Sequence, residues 1–184
     1  MKYDEMKWKT LEREYLIQRK WLTARRDCVE LPDGRINNEY YILEYPDWVN
    51  VIAITKDGRF VMERQYRHGA EQVCIELPCG VLENGEEPIE GARRELLEET
   101  GYGNGTWTKL MTISANPDNM TNRVHCFLAM DVEPVSDQKL DVNEDLVVEL
   151  FSRNDVLQLL DSGEILNAQM LSPLYKYFLL QARN

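Results

Sequence analysis

Hydrophobic and polar positions along the chain divide it into short β-branched runs, separated by turn signals, and a few stretches of helical period. Residues 48–55 (WVNVIAIT) are almost wholly apolar, which predicts a buried strand. Lys56-Asp57-Gly58 predicts a hairpin turn into a second strand at 60–66, and 73–77 predicts a short strand ended by Pro78 and Gly80. The loop Glu83-Asn84-Gly85-Glu86 then leads into a helix with Pro88 near its first turn and Gly101 just past its end. Residues 106–114 and 123–132 read as strands around the turn-rich Asn116-Pro117-Asp118-Asn119, and 146–151 as one more. Ser152 predicts the N-cap of a helix at 154–160, and 165–182 a closing helix in spite of Pro173.

The N-terminal part is more polar. Residues 1–26 mix charges with Trp8, Leu11, Tyr15, Leu16, Trp21 and Leu22, and 15–31 is strand-like. Leu31-Pro32-Asp33-Gly34-Arg35 signals a turn into a strand at 40–44, so the pair predicts a hairpin. Tyr45-Pro46-Asp47 marks a boundary, giving an N-terminal β element at 1–46 and a main domain at 47–184. Strands, one helix, strands, then helices predict an α/β (α+β) sandwich with mixed sheets.

Composition narrows the function classes. With 32 acidic and 21 basic residues the net charge is -11, which disfavours nucleic acid as a partner. No apolar run reaches membrane-spanning length and no leader pattern opens the chain, so no membrane role and a cytoplasmic location are expected. Cys28, Cys74, Cys79 and Cys126 contain no C-x2-C pair, and with two histidines they predict reduced, mostly buried thiols rather than zinc ligands or disulfides.

Candidate chemistry concentrates in GVLENGEEPIEGARRELLEETGY, residues 80–102. On the predicted helix Glu95, Glu98 and Glu99 lie at i, i+3 and i+4 and share a face, while Ile89, Ala92 and Leu96 fall on another arc that packs on a sheet. Carboxylates that close raise one another's pKa unless cations intervene. Arg94 supplies one cation. A divalent ion would neutralise the rest, and an all-oxygen set suits Mg²⁺ or Mn²⁺. An E-L-L-E-E run by itself is usually the wet face of an amphipathic helix. Gly80, Glu86, Arg94 and Gly101 stand around it at fixed offsets, and it is the family resemblance these offsets carry that outweighs that reading.

Read as G-x5-E-x7-R-E-U-x-E-E-x-G-U, with U apolar, the stretch is a complete Nudix box, and the chain resembles the Nudix hydrolases. The resemblance implies an α/β/α sandwich with mixed sheets and an N-terminal β-hairpin element. It also implies metal-dependent cleavage of X-linked nucleoside diphosphates by water. It makes Glu95 and Glu99 the principal metal ligands, with the Cys79 carbonyl as a backbone ligand. Glu98 is a ligand or the water-activating base, and Glu86 a further ligand or a structural pair. Arg94 orients a glutamate, and Gly80 lets the loop approach the helix. Metals held there would offset the diphosphate charge and make hydroxide available at neutral pH.

The flanks resemble the ADP-ribose/ADP-sugar pyrophosphatase branch: Arg64-Gln65-Tyr66-Arg67-His68-Gly69, Glu76-Leu77-Pro78-Cys79-Gly80, and Pro117 fifteen residues past Tyr102 (117 − 102 = 15). That branch implies a homodimer in which the N-terminal element contacts the partner, packing on its own domain being the alternative. It places a catalytic carboxylate in the later acidic loop, where Glu144 matches, so the base is Glu98 or Glu144. Arg67 is a candidate for phosphate or ribose contact, and Trp48 for base stacking or a core position. Arg64 is expected in a surface pair and Glu76 tying the loop backbone. The expected substrate is ADP-ribose or an ADP-sugar. GDP-mannose, NADH or a dinucleotide, and a non-catalytic ligand sensor, are the alternatives.

Overall fold

Strict alternation over residues 49–54 sends Val49, Val51 and Ala53 to one face of a sheet and Ile52 and Ile54 to the other. The two layers of core grow from that strand. The computed structural model describes residues 3–183. A 3₁₀ turn at Tyr3–Met6 precedes β1 (Lys9–Arg19), β2 (Leu22–Glu30), β3 (Ile36–Glu44), β4 (Trp48–Thr55) and β5 (Phe60–Arg67). A second 3₁₀ turn, at His68–Ala70, leads to β6 (Gln72–Glu76), β7 (Cys79–Val81) and the helix α1 (Pro88–Thr100). The chain continues through β8 (Tyr102–Gly103), β9 (Thr106–Ile113), β10 (Val124–Pro134), β11 (Leu146–Phe151), α2 (Arg153–Ser162) and α3 (Ala168–Gln181). Contacts divide it into two units: Met1–Pro46 with Ser114–Asn122, and Asp47–Ile113 with Arg123–Asn184.

The first unit is an antiparallel sheet in the order β1-β2-β3. Leu43 bridges to Met120, and Trp8 meets the ring of Tyr40 edge-on. Arg25, Asp27 and Val29 alternate inward along β2, with Arg25 donating to Asp27 at 2.9 Å and pairing with Glu44. The expected strand-like segment at 15–31 is in fact two strands that turn back at Lys20-Trp21. The turn carries no glycine or proline, and both strands are polar, so no break in pattern marks it. Every residue of β1 is exposed.

The second unit is an eight-stranded mixed sheet. β4 runs parallel to β10 and antiparallel to β5 and β7. β11 and β6 flank β5, and β9 pairs with β10. Val49, Val51, Ala53 and Val61 pack on Ala92 and Leu96 of α1, with Ile89 at the margin, as the helical arc predicts. On the other face Ile52, Ile54, Phe60 and Met62 meet Val156 and Leu160 of α2 and Met170, Leu174 and Phe178 of α3. This is a mixed α/β sandwich with helices on both faces. Among the described residues no helix is long and apolar enough to cross a membrane.

Local chemistry sets the helix ends. Pro88 takes the first helical position of α1, and Gly101, at φ +73°, closes it with its N–H on the Leu97 carbonyl. Ser152 and Asp155 form a reciprocal capping box on α2. The closing helix starts at Ala168 rather than 165, because the Asn167 side chain accepts from Gln169 N–H and fixes the start. Pro173 lies inside α3 without ending it. A proline there cannot donate to the carbonyl four residues back, that of Gln169. Asn50 Nδ2 donates to this oxygen instead, at 2.9 Å.

Candidate active site

Arg94 is the centre of the predicted constellation. Its Nε and Nη2 donate to the two oxygens of Glu86 at 2.9 Å, and its Nη1 to Glu95 at 2.8 Å and Glu98 at 3.2 Å. Nη2 also donates to the Val81 carbonyl at 3.1 Å, tying α1 to β7. Glu86 in turn accepts from Glu83 N–H, which closes the loop before the helix. Glu99 faces the other way along the strand: its Oε2 accepts from Cys79 N–H at 2.8 Å. Gly80 lies between them, and a Cβ there would fall inside the carboxylate of Glu95. The glycine is therefore a space requirement at this position. Glu95, Glu98, Glu99, Arg94, Glu86, Gly80 and Cys79 are thus brought together.

Glu95 and Glu99 are buried, whereas Glu98 keeps 43% of its side chain exposed. Burial pushes the Glu95 carboxyl above its usual range, and Arg94 only partly offsets this. Burial, followed by the charge of Glu63, pushes Glu99 up further. Glu86 moves the opposite way because Arg94 hydrogen-bonds it. Arg94 is held more firmly protonated, first by its bonds to Glu86. The Cys79 thiol is raised by burial and then by Glu99, so it is an inert thiol. Acidic oxygens therefore outnumber nearby cations, the condition under which a divalent ion binds carboxylates well. The donor set fits Mg²⁺ or Mn²⁺ in kind. Among the described residues no three ligating side chains converge closely enough to hold a cation as they stand, since Glu95 is turned onto Arg94 and Glu99 onto Cys79.

Arg67 ends β5 with Nε and Nη2 on Glu76, at 2.7 and 2.6 Å. Glu76 also accepts from Asn167 Nδ2 at 3.1 Å. It thus ties side chains, not the loop backbone as expected, because Arg67 and the cap of α3 both reach it. Arg64 donates to Glu149 at 2.8 Å, the expected surface pair. Glu144, in the loop before β11, accepts from Asp141 N–H at 2.9 Å, and its charge bears on Glu63, Glu95 and Glu99. Trp48 is not with them. Alternation in β4 puts its side chain on the face of Asn50 and Ile52, half-buried, with Nε1 buried and unpartnered. A groove of about 370 Å³ lined by Arg93, Leu97, Trp107 and Val135 holds none of the predicted site residues.

The sequence reading passed over Glu63. It shares the α1-facing side of β5 with Val61, is 2% exposed and sits opposite Glu76 in the register. Its signal in the sequence is weak, because Phe60, Val61 and Met62 bury both faces of the strand and alternation does not mark the glutamate as inward.

The sequence profile of the NUDIX domain matches residues 44–172. The chain belongs to the Nudix family. A second profile, described as the nucleoside diphosphate sugar hydrolase N-terminal domain, matches residues 8–43 ahead of the Nudix domain. The chain is similar to an ADP-ribose pyrophosphatase of Bacillus subtilis (strain 168), at 36% identity over 163 residues, covering 88% of this chain and 87% of that protein. It is 37% identical over 115 residues to a GDP-mannose pyrophosphatase of Salmonella arizonae, 57% of this chain and 59% of the relative. A crystal structure of an ADP compounds hydrolase superposes with a TM-score of 0.80 at 25% identity, covering 97% of each chain. This protein is a Nudix-type pyrophosphatase acting on a nucleoside-diphosphate-X linkage, with the divalent metal cofactor typical of Nudix hydrolases.

Proposed function

We propose that the protein hydrolyses the diphosphate of ADP-ribose or an ADP-sugar, using Mg²⁺ or Mn²⁺, to AMP and a sugar phosphate. The observation that carries this reading is the buried pair Glu95 and Glu99 on one helix, with Gly80 leaving room for the Glu95 carboxylate. Similarity over most of both chains to an ADP-ribose pyrophosphatase supports the substrate.

Glu95 and Glu99 would hold the metal together with the Cys79 carbonyl, and Glu98, half-exposed with one oxygen on Arg94, would have only its other oxygen to add. A bound divalent cation offsets diphosphate charge and lowers the pKa of its water. Arg94 keeps Glu95 and Glu98 oriented, and Glu86 acts as its structural partner rather than as a ligand, since both its oxygens face Arg94. Glu144 takes the proton of the attacking water; Glu98 is committed to Arg94, whereas Glu144 is bonded only within its own loop. Arg67, already aimed by Glu76, meets a phosphate or the ribose. Trp48, half-buried and apart from these residues, is assigned the core position rather than base stacking. Water adds to one phosphorus, the bridging oxygen leaves with the other phosphate, and no protein nucleophile is required.

Residues 1–46 form the N-terminal element and 47–184 the catalytic domain. The N-terminal sheet exposes Trp8, Leu11, Leu16, Ile17 and Trp21. A sheet with that much apolar surface is suited to a partner, and the proposed assembly is a homodimer through it. Light scattering that gives a monomer at working concentration would exclude the dimer.

A panel of ADP-ribose, ADP-glucose, GDP-mannose and NADH with Mg²⁺ or Mn²⁺ tests the substrate. The expected outcome is a kcat/KM for ADP-ribose or ADP-glucose at least about tenfold above the others. GDP-mannose in first place would establish the second reading, which the Salmonella relative favours.

A further inference from the structure

The last carbonyls of an α-helix have no partner within the helix. At the end of α1 the chain that follows β10 supplies them. Lys139 N–H donates to the Glu98 carbonyl at 2.8 Å, and the side-chain Nε2 of Gln138 to the Glu99 carbonyl at 2.6 Å. Val135 and Ser136 N–H both donate to the Gly101 carbonyl, at 2.8 and 3.2 Å. The approach is close, since a Cβ on Gly101 would fall against the Ser136 carbonyl oxygen. Glu98 and Glu99 therefore hold this loop by their backbone, while their carboxylates belong to the proposed metal site.

The same loop leads directly to Glu144. After Lys139 comes Leu140, and then a closed turn: Asp141 N–H donates to the Glu144 carboxylate and Glu144 N–H to the Asp141 carbonyl, each at 2.9 Å. β11 begins two residues on, with Leu146 paired to Gln65. The turn that carries Glu144 is thus fixed on one side by a strand and on the other by the bonds to α1. Charge opposes the second attachment. The loop carries Asp137, Asp141, Glu144 and Asp145, and it lies against Glu98, Glu99 and the negative end of the helix dipole. Val135, Ser136 and Lys139 bond to α1 through backbone N–H groups, which any residue but proline supplies. Gln138 bonds through its side chain. Its amide offers a donor to the carbonyl and brings no further negative charge, which a glutamate there would.

We propose that Gln138 is a positioning residue for the reaction: its amide clamps the loop onto the last turn of α1 and so holds Glu144 in place against the carboxylates of that helix. The proposal rests on Glu144 being the base. Gln138 acts through Glu144 and touches neither metal nor substrate. The backbone bonds remain when the clamp is removed, so the loss in kcat is about tenfold, short of the roughly 100-fold that a full ångström of misplacement costs.

The test is kcat on full-length protein at saturating metal, with whichever diphosphate of the substrate panel is turned over fastest. Mn²⁺ affinity is read beside it from the electron paramagnetic resonance signal of free Mn²⁺. Gln138→Met removes the donor at similar length and should lower kcat about tenfold, with KM and Mn²⁺ affinity within about threefold of wild type. Gln138→Ala takes its place if that variant misfolds by circular dichroism. Gln138→Lys keeps a donor suited to the end of a helix and should stay within about threefold of wild-type kcat. Wild-type kcat in Gln138→Met overturns the proposal, and so does an equal loss in Gln138→Lys. A double variant separates positioning from general support. With Glu144→Gln already present, Gln138→Met should cost nothing more, because the group it positions is gone. A further loss of about tenfold there would overturn the proposal. A fully active Glu144→Gln removes the reading of Glu144 as base and this inference with it. If Glu144→Gln loses kcat while Gln138→Met does not, only the inference falls.

Discussion

Gly80 lies directly beneath the carboxylate of Glu95: a Cβ built on the glycine would overlap the end of that side chain. The backbone of β7 and the helix α1 therefore approach as closely as they do only because position 80 has no side chain. Gly80→Ala should cost on the order of 1 kcal/mol of stability, since the colliding atoms end a flexible side chain that can swing away. Activity should fall roughly 100-fold, because displacing a carboxylate proposed to hold the metal by about an ångström has that effect. Steady-state kinetics beside a melting curve checks both numbers.

Arg94 makes four separate attachments, to Glu86, Glu95, Glu98 and the Val81 carbonyl. Lysine keeps the charge but not the planar fork that reaches them together. Arg94→Lys should lose about 1–3 kcal/mol in denaturant unfolding with chelator present, and saturating Mg²⁺ should restore part of it. Unchanged stability would mean the network contributes nothing to the fold.

Stability should depend on pH in a direction opposite to that of paired surface carboxylates. Glu95 and Glu99 have folded pKa values raised above the unfolded value, chiefly by burial. Between the unfolded and folded values the folded state binds more protons, so stability falls as pH rises through that window. Metal-free protein should therefore melt at a lower temperature at pH 8 than at pH 6. Mg²⁺ should flatten this slope by offsetting the ionised pair, and Glu99→Gln should reduce it without metal. A metal-free melting temperature that climbs from pH 6 to 8 would contradict the burial argument.

For the base, Glu144→Gln should lower kcat by about 10²–10⁴-fold with Mn²⁺ affinity unchanged. Glu98→Gln should weaken Mn²⁺ binding or disturb Arg94, with a smaller effect on kcat. The reverse pattern would make Glu98 the base.

Much of this site was legible in the chain because its chemistry needs residues at fixed offsets on one helix. Glu95, Glu98 and Glu99 share a face by period alone, and Pro88 and Gly101 mark both ends of α1. The strands at Trp48–Thr55 and Leu146–Phe151 are also where the pattern puts them. Glu63 was harder to read, since a strand glutamate reads as solvent-facing until the register shows it beside Val61. Partners such as Glu76 with Asn167 are 91 residues apart, and no local pattern couples them. The turn at Lys20-Trp21 escaped for lack of any turn residue. The pattern carries the closing helix through Pro173, and only the tertiary contact from Asn50 to the Gln169 carbonyl shows why the proline is tolerated.

The proposed reaction is metal-dependent hydrolysis of a nucleoside-diphosphate sugar, with the carboxylates of α1 holding the metal. The most direct measurement is the rate of AMP release from ADP-ribose at saturating Mg²⁺, for wild type and Glu99→Gln. The expected result is steady turnover by wild type, none with chelator, and a loss of at least about 100-fold in Glu99→Gln. No AMP from wild type, or a full rate in Glu99→Gln, would contradict it.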